Sequence, residues 1–258
     1  MISRTFNPRI ALFLVAVGWA APAADPALRL HYDFAAVTGE TVPDASGKGH
    51  AARLEGKDGA LPVIVSTPSG GKALRLEAAL GQGLRVKPAP DLVCAEALTV
   101  MAWIRPETAD SHLAILANKG DRVAGTKAKG YRLSVAWRRL MAELGFGDDE
   151  EGVRLLSPEW SIEPRHWVHV AMTFDGQELI LYLNATEAAR LRLPAPRALA
   201  AGPSAGGFTI GKYYWNDAYP FVGLLADLRL YARALPAPEV FAVASEFLRP
   251  PARLPTGK

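Results

Sequence analysis

The sequence predicts an all-β fold: a two-sheet antiparallel sandwich with one short C-terminal helix. Three observations carry this. Apolar residues recur with period two in long rows, as in Tyr131, Leu133, Val135 and Trp137 against Arg132, Ser134 and Arg138. Turn pairs punctuate the rows: Pro43–Asp44, Gly70–Gly71, Asp175–Gly176 and Gly206–Gly207. Helical spacing occurs in one short stretch near the C-terminus, through Val240, Phe241 and Phe247. Strict alternation marks half-buried strands, because side chains on a pleated strand point to opposite faces in turn.

Taken in order, the predicted strands are Leu28–Phe34, Ala73–Leu76, Gly83–Val86, Leu98–Arg105, Leu113–Asn118 and the row from Tyr131 to Trp137. Trp167–Phe174 and Glu178–Leu183 follow, joined by Asp175–Gly176, a hairpin signal because Gly supplies the positive φ of a tight turn. Phe208–Gly211 and Phe221–Tyr231 complete the set before the helix Pro238–Phe247. About a dozen strands and one helix fit two stacked sheets.

The first 24 residues are of another kind. Arg4 and Arg9 precede the apolar run Ile10–Trp19 and then Ala20–Ala–Pro–Ala–Ala24. A basic start, a short apolar core and a small-residue site predict a secretory signal peptide cut after Ala21-x-Ala23. The run is too short for a membrane helix, which needs about 20 apolar residues. The expected organisation is therefore a leader over residues 1–24, one sandwich domain over 25–248 and a flexible proline-rich tail over 249–258, in a secreted or periplasmic protein.

Charge and cysteine content narrow the function. The formal charge is +3, and removing Arg4 and Arg9 leaves about +1 for the mature chain, so no basic surface argues for nucleic acid. Cys94 is the only cysteine, which excludes an intramolecular disulfide. It sits in the apolar stretch Leu92–Val–Cys–Ala95 and reads as a buried thiol.

Five stretches, the opening one in two parts, then match one family in its own order. The chain opens with Leu28–Arg–Leu–His–Tyr–Asp–Phe34 and Val42–Pro–Asp–Ala–Ser–Gly–Lys–Gly–His50, and closes with Phe221–Val–Gly–Leu–Leu–Ala–Asp–Leu–Arg–Leu–Tyr–Ala–Arg–Ala–Leu235. Between them lie Leu98–Thr–Val–Met–Ala–Trp–Ile–Arg–Pro106, the hairpin from Trp167 to Asn184, and Phe208–Thr–Ile–Gly–Lys212. Together these resemble the laminin-G-like jelly rolls of the concanavalin A-like lectin/glucanase superfamily. The resemblance implies a jelly-roll sandwich whose first and last strands pair, and a binding module more often than an enzyme.

The resemblance also implies a calcium site. Paired terminal strands would carry Asp33 and Asp44 towards Asp227, with carbonyls of the Asp44–Gly49 turn, Gly47 included, completing an oxygen-rich cage. Two departures weaken that expectation. Ala226 stands where the family has the more regular acidic residue of a pair, and Lys48 places an ammonium inside the loop. Asp44 capping its own turn is the alternative reading.

The superfamily that this chain resembles includes glycoside hydrolases. Retaining members carry catalytic carboxylates on one face of a strand, and no Glu-x-Asp-x-Glu or Glu-x-Asp-x-x-Glu occurs. Glu143 and Asp148–Asp–Glu–Glu151 form the acidic cluster of note, and the latter run, between Phe146–Gly147 and Val153, reads as a solvated acidic turn rather than a catalytic dyad. His166 and His169 lie three apart on a strand and face opposite ways, so they cannot chelate one ion, and His169 is expected to be satisfied or exposed. His31 and His50 lack the further His or Cys ligands that zinc requires. The chain reads as non-catalytic, with no catalytic residues assigned.

The candidate ligand site is the loop Lys212–Tyr–Tyr–Trp–Asn–Asp–Ala–Tyr–Pro220. Aromatic faces stack on sugar rings and amide or carboxylate groups bond hydroxyls, which nominates Tyr213, Tyr214, Trp215, Asn216, Asp217 and Tyr219. Folding back of the loop to bury its aromatics is the competing reading. Trp137–Arg–Arg139 and Trp160 rank second, with Trp137 expected in the core as the end of the Tyr131 row. The expected function is a carbohydrate-binding, lectin-like module for a polysaccharide or glycan. A protein-binding adhesion or assembly domain is the alternative, and a glycoside hydrolase a distant third.

Overall fold

The computed structural model of the chain describes residues 25–121, 129–147, 151–200, 207–213 and 218–249. Residues 1–24, where a leader is expected, and those from 250 onwards lie outside these.

Among the described residues sixteen strands and one α-helix order as β1 (Leu28–Tyr32), β2 (Thr41–Val42), β3 (Ala52–Glu55), β4 (Val63–Ser66), β5 (Lys72–Leu76), β6 (Gly83–Val86), β7 (Leu98–Pro106) and β8 (Ala114–Asp121). There follow β9 (Lys129–Ala136), β10 (Arg139–Phe146), β11 (Val153–Leu156), β12 (Val168–Phe174), β13 (Glu178–Leu183), β14 (Thr186–Arg192), β15 (Phe208–Ile210), β16 (Gly223–Tyr231) and α1 (Ala237–Leu248). One sheet runs β14-β13-β12-β7-β16-β5-β4, with β1 also paired to β16; the other runs β11-β10-β9-β8-β15-β6-β3-β2. All pairings are antiparallel. The main core lies between the sheets, where Tyr32, Phe34, Phe174, Phe208 and Phe221 are fully buried.

The terminal strands pair as the jelly-roll expectation required, with His31 opposite Arg229 and Tyr32 opposite Leu228. The last strand does two jobs. Its first half, Gly223–Leu225, pairs with β5, and its second half pairs with β1, while β7 runs along its other edge. The partner changes at a bulge between Ala226 and Arg229, where Asp227 takes φ 47°. A bulge bends a strand and re-aims a side chain. At Gly223, φ is 145° and a Cβ would stand 2.4 Å from the Arg105 carbonyl oxygen, so only glycine fits where β16 meets β7.

Helix α1 covers the outer face of the first sheet. Val240 packs with Met101, Ala171, Tyr182 and Tyr231; Phe247 stacks on Trp103 with centroids 4.9 Å apart, and the Trp103 indole N–H donates to the Ala244 carbonyl at 3.2 Å. Strands β7 and β12 are therefore covered on both faces, which is why Leu98–Ile104 is buried without a break and apolar except for Thr99, whose hydroxyl donates to the Arg233 carbonyl at 2.8 Å. The same covering corrects the expectation for His169. It is 1% exposed beneath the helix, edge-on to Trp103 at 5.6 Å, and its Nδ1 has no hydrogen-bond partner among the described residues.

Candidate functional site

The expected place of Trp137 in the core is overturned. β9 ends at Ala136 and β10 begins at Arg139, leaving Trp137 and Arg138 as a two-residue hairpin loop with φ 48° and 59°. Such loops need positive φ at both positions and favour Asn-Gly, because a Cβ is crowded there at about 1–2 kcal/mol per residue. Two backbone bonds hold the turn: Trp137 N–H to the Ser111 carbonyl at 2.9 Å and Arg138 N–H to the Ala109 carbonyl at 2.7 Å. The period-two row breaks at this turn, and Trp137 emerges 56% exposed.

Trp160, on the segment after β11, is 67% exposed and also left-handed, with φ 58°. It is fixed from below by Ser157 and Ser161, whose hydroxyls lie 2.7 Å apart, and by the Ile162 N–H donating to the Arg138 carbonyl at 2.9 Å. The Arg138 guanidinium lies 5.0 Å from the Trp160 ring centroid and forms a fork with Asp110 at 2.6 and 3.2 Å. Arg139 donates to the Ser157 carbonyl at 2.6 Å and reaches Glu159 at 3.9 Å. Trp137, Trp160, Asp110, Arg139 and Glu159 line an open cleft of about 370 Å³. The arrangement offers two apolar ring faces flanked by carboxylate oxygens and guanidinium donors, the chemistry that grips a sugar ring. Left-handed non-glycine residues gather at functional sites, where surrounding contacts hold the strain.

Of the loop nominated from sequence, Tyr214, Trp215, Asn216 and Asp217 lie outside the described residues. Tyr213 and Tyr219 are brought together, edge to face at 6.2 Å, and the Tyr213 N–H donates to the Ala218 carbonyl at 3.1 Å. Tyr219 is 37% exposed and meets His112 edge-on at 5.3 Å.

The residues nominated for calcium do not compose an oxygen cage. Both oxygens of Asp44 are taken: Oδ1 accepts the N–H of His31 at 3.0 Å and of Ser46 at 2.9 Å, while Oδ2 accepts the Ser46 hydroxyl at 2.7 Å and the His50 N–H at 3.0 Å. Burial pushes the Asp44 carboxyl up, but these donors outweigh it and hold it below its ordinary value. This is the turn-capping alternative. Asp227 faces nitrogen groups instead: His31 Nε2 at 2.7 Å and the Arg229 guanidinium at 2.9 Å, with Arg229 held in turn by Glu246 at 2.7 Å. Asp33 is exposed and accepts the Ala35 N–H at 2.9 Å; Gly47 sits at φ 76° in the turn. Asp33 and Asp227 share the wall of a cleft of about 200 Å³, which does not include Asp44. No three His, Cys, Asp or Glu groups among the described residues could hold a metal ion together. The donors present suit an internal guanidinium better than a divalent cation.

Sequence reasoning missed a polar row across the second sheet. Register places Arg154, Glu143, Arg132, Asn118, Thr209, Arg85 and Arg53 side by side on seven successive strands. Glu143 belongs to this row, while Asp148–Glu150 of the expected acidic turn lie outside the described residues. It is clasped by Arg132 and, at 2.7 Å, by Arg154, while Glu55 holds Arg85 at 2.7 Å and Lys212 at 3.2 Å. Cross-strand pairs of this sort stabilise a sheet. Only alternation, not register, is readable in a single strand. His50 pairs with Asp91 at 2.8 Å, and His166 is exposed beside Glu163 at 3.6 Å. Residues 202–206 spell Gly-x-Ser-x-Gly and lie outside the described residues; the element after them is strand β15, whereas a hydrolase elbow leads into a helix.

Comparison with solved structures finds binding domains of the same fold. Domain 4 of AbnA, a GH43 extracellular arabinanase from Geobacillus stearothermophilus, in complex with arabinotriose, is 21% identical with a TM-score of 0.62, over 84% of this chain and 98% of that one. The binding domain of Paraclostridial Mosquitocidal Protein 1 is 18% identical with a TM-score of 0.60, over 85% of this chain and 52% of that one. The binding domain of Botulinum Neurotoxin DC in complex with SialylT is 13% identical with a TM-score of 0.62, over 86% and 52%. The chain thus spans about half the length of the toxin domains it matches. No curated protein matches the sequence. With the jelly-roll topology in place and the Laminin_G_3 family matching residues 80–241, the chain belongs to the concanavalin A-like lectin/glucanases superfamily.

Proposed function

We propose that this chain is a secreted, non-catalytic carbohydrate-binding module. The observation that carries the proposal is the Trp137–Trp160 cleft. Two large aromatics stand more than half exposed on one cleft, with a polar rim beside them, and both are held by strained, well-bonded backbone. The arabinotriose complex of the AbnA domain and the SialylT complex of the neurotoxin domain support a glycan as partner. The leader over residues 1–24 supports export. No helix among the described residues is long and apolar enough to cross a membrane.

The absence of catalysis is argued from the cleft's own carboxylates. A glycosidase acid needs a raised pKa to carry its proton at neutral pH. The Arg138 fork does the opposite for Asp110, holding its carboxyl below the ordinary range. Asp110 is thus a charged acceptor for hydroxyls.

A panel of plant and microbial polysaccharides, including arabinan, tests the proposal. Binding is expected, with Trp160→Ala weakening it at least tenfold, about 1.4 kcal/mol. Release of reducing sugar would defeat the non-catalytic reading. Protein binding is the second reading, favoured by the neurotoxin domain solved with rat synaptotagmin II; silence across the glycan panel together with capture of a defined protein would establish it instead.

A further inference from the structure

The tryptophan cleft and the Tyr219 patch share one piece of chain. In loop 107–113, the Ser111 carbonyl accepts the Trp137 N–H at 2.9 Å on one side. On the other side, His112 meets the Tyr219 ring at 5.3 Å, and the Tyr219 carbonyl accepts the Ile115 N–H at 3.0 Å. Trp137 and Tyr219 therefore flank the start of β8 on opposite edges, about two strand spacings or roughly 10 Å apart along the backbone. Tyr219, like Trp137 and Trp160, is left-handed, with φ 56°. Exposed aromatic surface thus stands at both ends of one span, wider than a single sugar ring needs.

The charges of the span are already matched. Arg138 is forked on Asp110 at 2.6 Å, Arg139 is held by the Ser157 carbonyl at 2.6 Å, and Arg165 by Glu107 at 2.9 Å. An anionic sugar would have to compete with these partners and would meet the carboxylates of Asp110 and Glu159 as like charges. Neutral hydroxyls suit both: carboxylate oxygens accept from them, and the outer edges of the guanidinium groups donate to them.

We infer that this rim takes an uncharged polysaccharide chain lengthwise, with one sugar ring against Trp137 and Trp160 and another farther along the same chain against Tyr219. The inference rests on the glycan-binding reading and adds the charge and the length of the ligand.

Calorimetric titration of the full chain with neutral arabino-, xylo- and cello-oligosaccharides of two to six units, and with oligogalacturonates of equal length, tests it. Affinity should rise at least tenfold from disaccharide to hexasaccharide in the series that binds. Tyr219→Ala should remove most of that rise and leave the disaccharide affinity unchanged, whereas Trp160→Ala should weaken both. Oligogalacturonate should bind at least tenfold more weakly than the neutral hexasaccharide. Should Tyr219→Ala misfold, Tyr219→Asn keeps the left-handed backbone and serves the same comparison. Affinity independent of length, an equal loss on short and long sugars in the Tyr219 variant, or preference for oligogalacturonate would each overturn the inference while leaving a glycan-binding module in place. Failure of every sugar to bind would overturn the reading beneath it.

Discussion

His31 Nε2 and Asp227 Oδ1 stand 2.7 Å apart, and Arg229 reaches the same oxygen at 2.9 Å. The contact ties the first strand to the bulge of the last, where β16 changes partner from β5 to β1. Burial pushes the Asp227 carboxyl up, but the His31 bond and the Arg229 charge outweigh it, so it stays ionised. Arg229→Met would leave that carboxylate enclosed without its guanidinium. The pair is only partly buried and His31 still faces Asp227, so urea unfolding should show a loss of about 1–3 kcal/mol. A loss below about 1 kcal/mol would mean that the bulge does not depend on the pair.

The same geometry bears on calcium. Arg229 supplies positive charge beside Asp227, and N–H and O–H donors fill both oxygens of Asp44. An ion that bound only the folded state would raise the melting temperature. Neither added calcium nor a chelator is expected to move the melting curve. A rise of several degrees with calcium, reversed by chelator, would contradict this.

Acid should weaken the fold through His169. Burial under α1 pushes its pKa from 6.5 down to about 4, with Asp227 opposing and Arg229 reinforcing the shift. A depressed pKa means that the unfolded chain takes up the proton first. The stability tied to neutral His169 is complete above pH 6.5 and is lost progressively as pH falls towards 4, up to about 3 kcal/mol. Melting temperature should therefore decline across that window, and His169→Phe should flatten the decline. An equal decline in the variant would assign it to other groups.

Much of this fold was legible in the residues. Period-two rows located the long strands, Asp175–Gly176 located the β12–β13 hairpin, and the helix ran one residue beyond each predicted end. Short strands such as β2 and β3 carry too few residues to show a period. At the candidate site the row through Tyr131, Leu133 and Val135 ran on to Trp137, yet a turn intervenes that no glycine or asparagine announces. Backbone bonds from loop 107–113 enforce the turn. Those contacts lie far off in sequence, so local pattern could not supply them. The fate of Asp227 depended on Arg229 two residues along, visible in the sequence but meaningful only once the bulge placed both side chains together.

Cys94 should be inert while the chain is folded. It is 8% exposed, and burial pushes the thiol pKa up to about 12, with Arg29 opposing and Asp91 adding to the shift. The thiolate is the reactive form, so a thiol reagent at pH 8 should label it only after denaturant is added. Rapid labelling of the native chain would place the sulfur at the surface.

The Trp137–Arg138 turn should exchange stability for binding. Both residues occupy left-handed conformations at φ 48° and 59°, in a loop geometry that favours Asn-Gly. Replacing the pair by Asn-Gly removes strain of about 1–2 kcal/mol per residue. It also removes the exposed Arg138–Asp110 pair and the Arg138–Trp160 contact at 5.0 Å, which solvent leaves contributing little. The net expectation is a gain of about 1–3 kcal/mol in unfolding free energy with at least tenfold weaker glycan binding. Stabilised but undiminished binding would move the site away from this cleft. Loss of stability would show that the loop is not strained, and that the tryptophan stands there because the fold prefers it rather than because a ligand does.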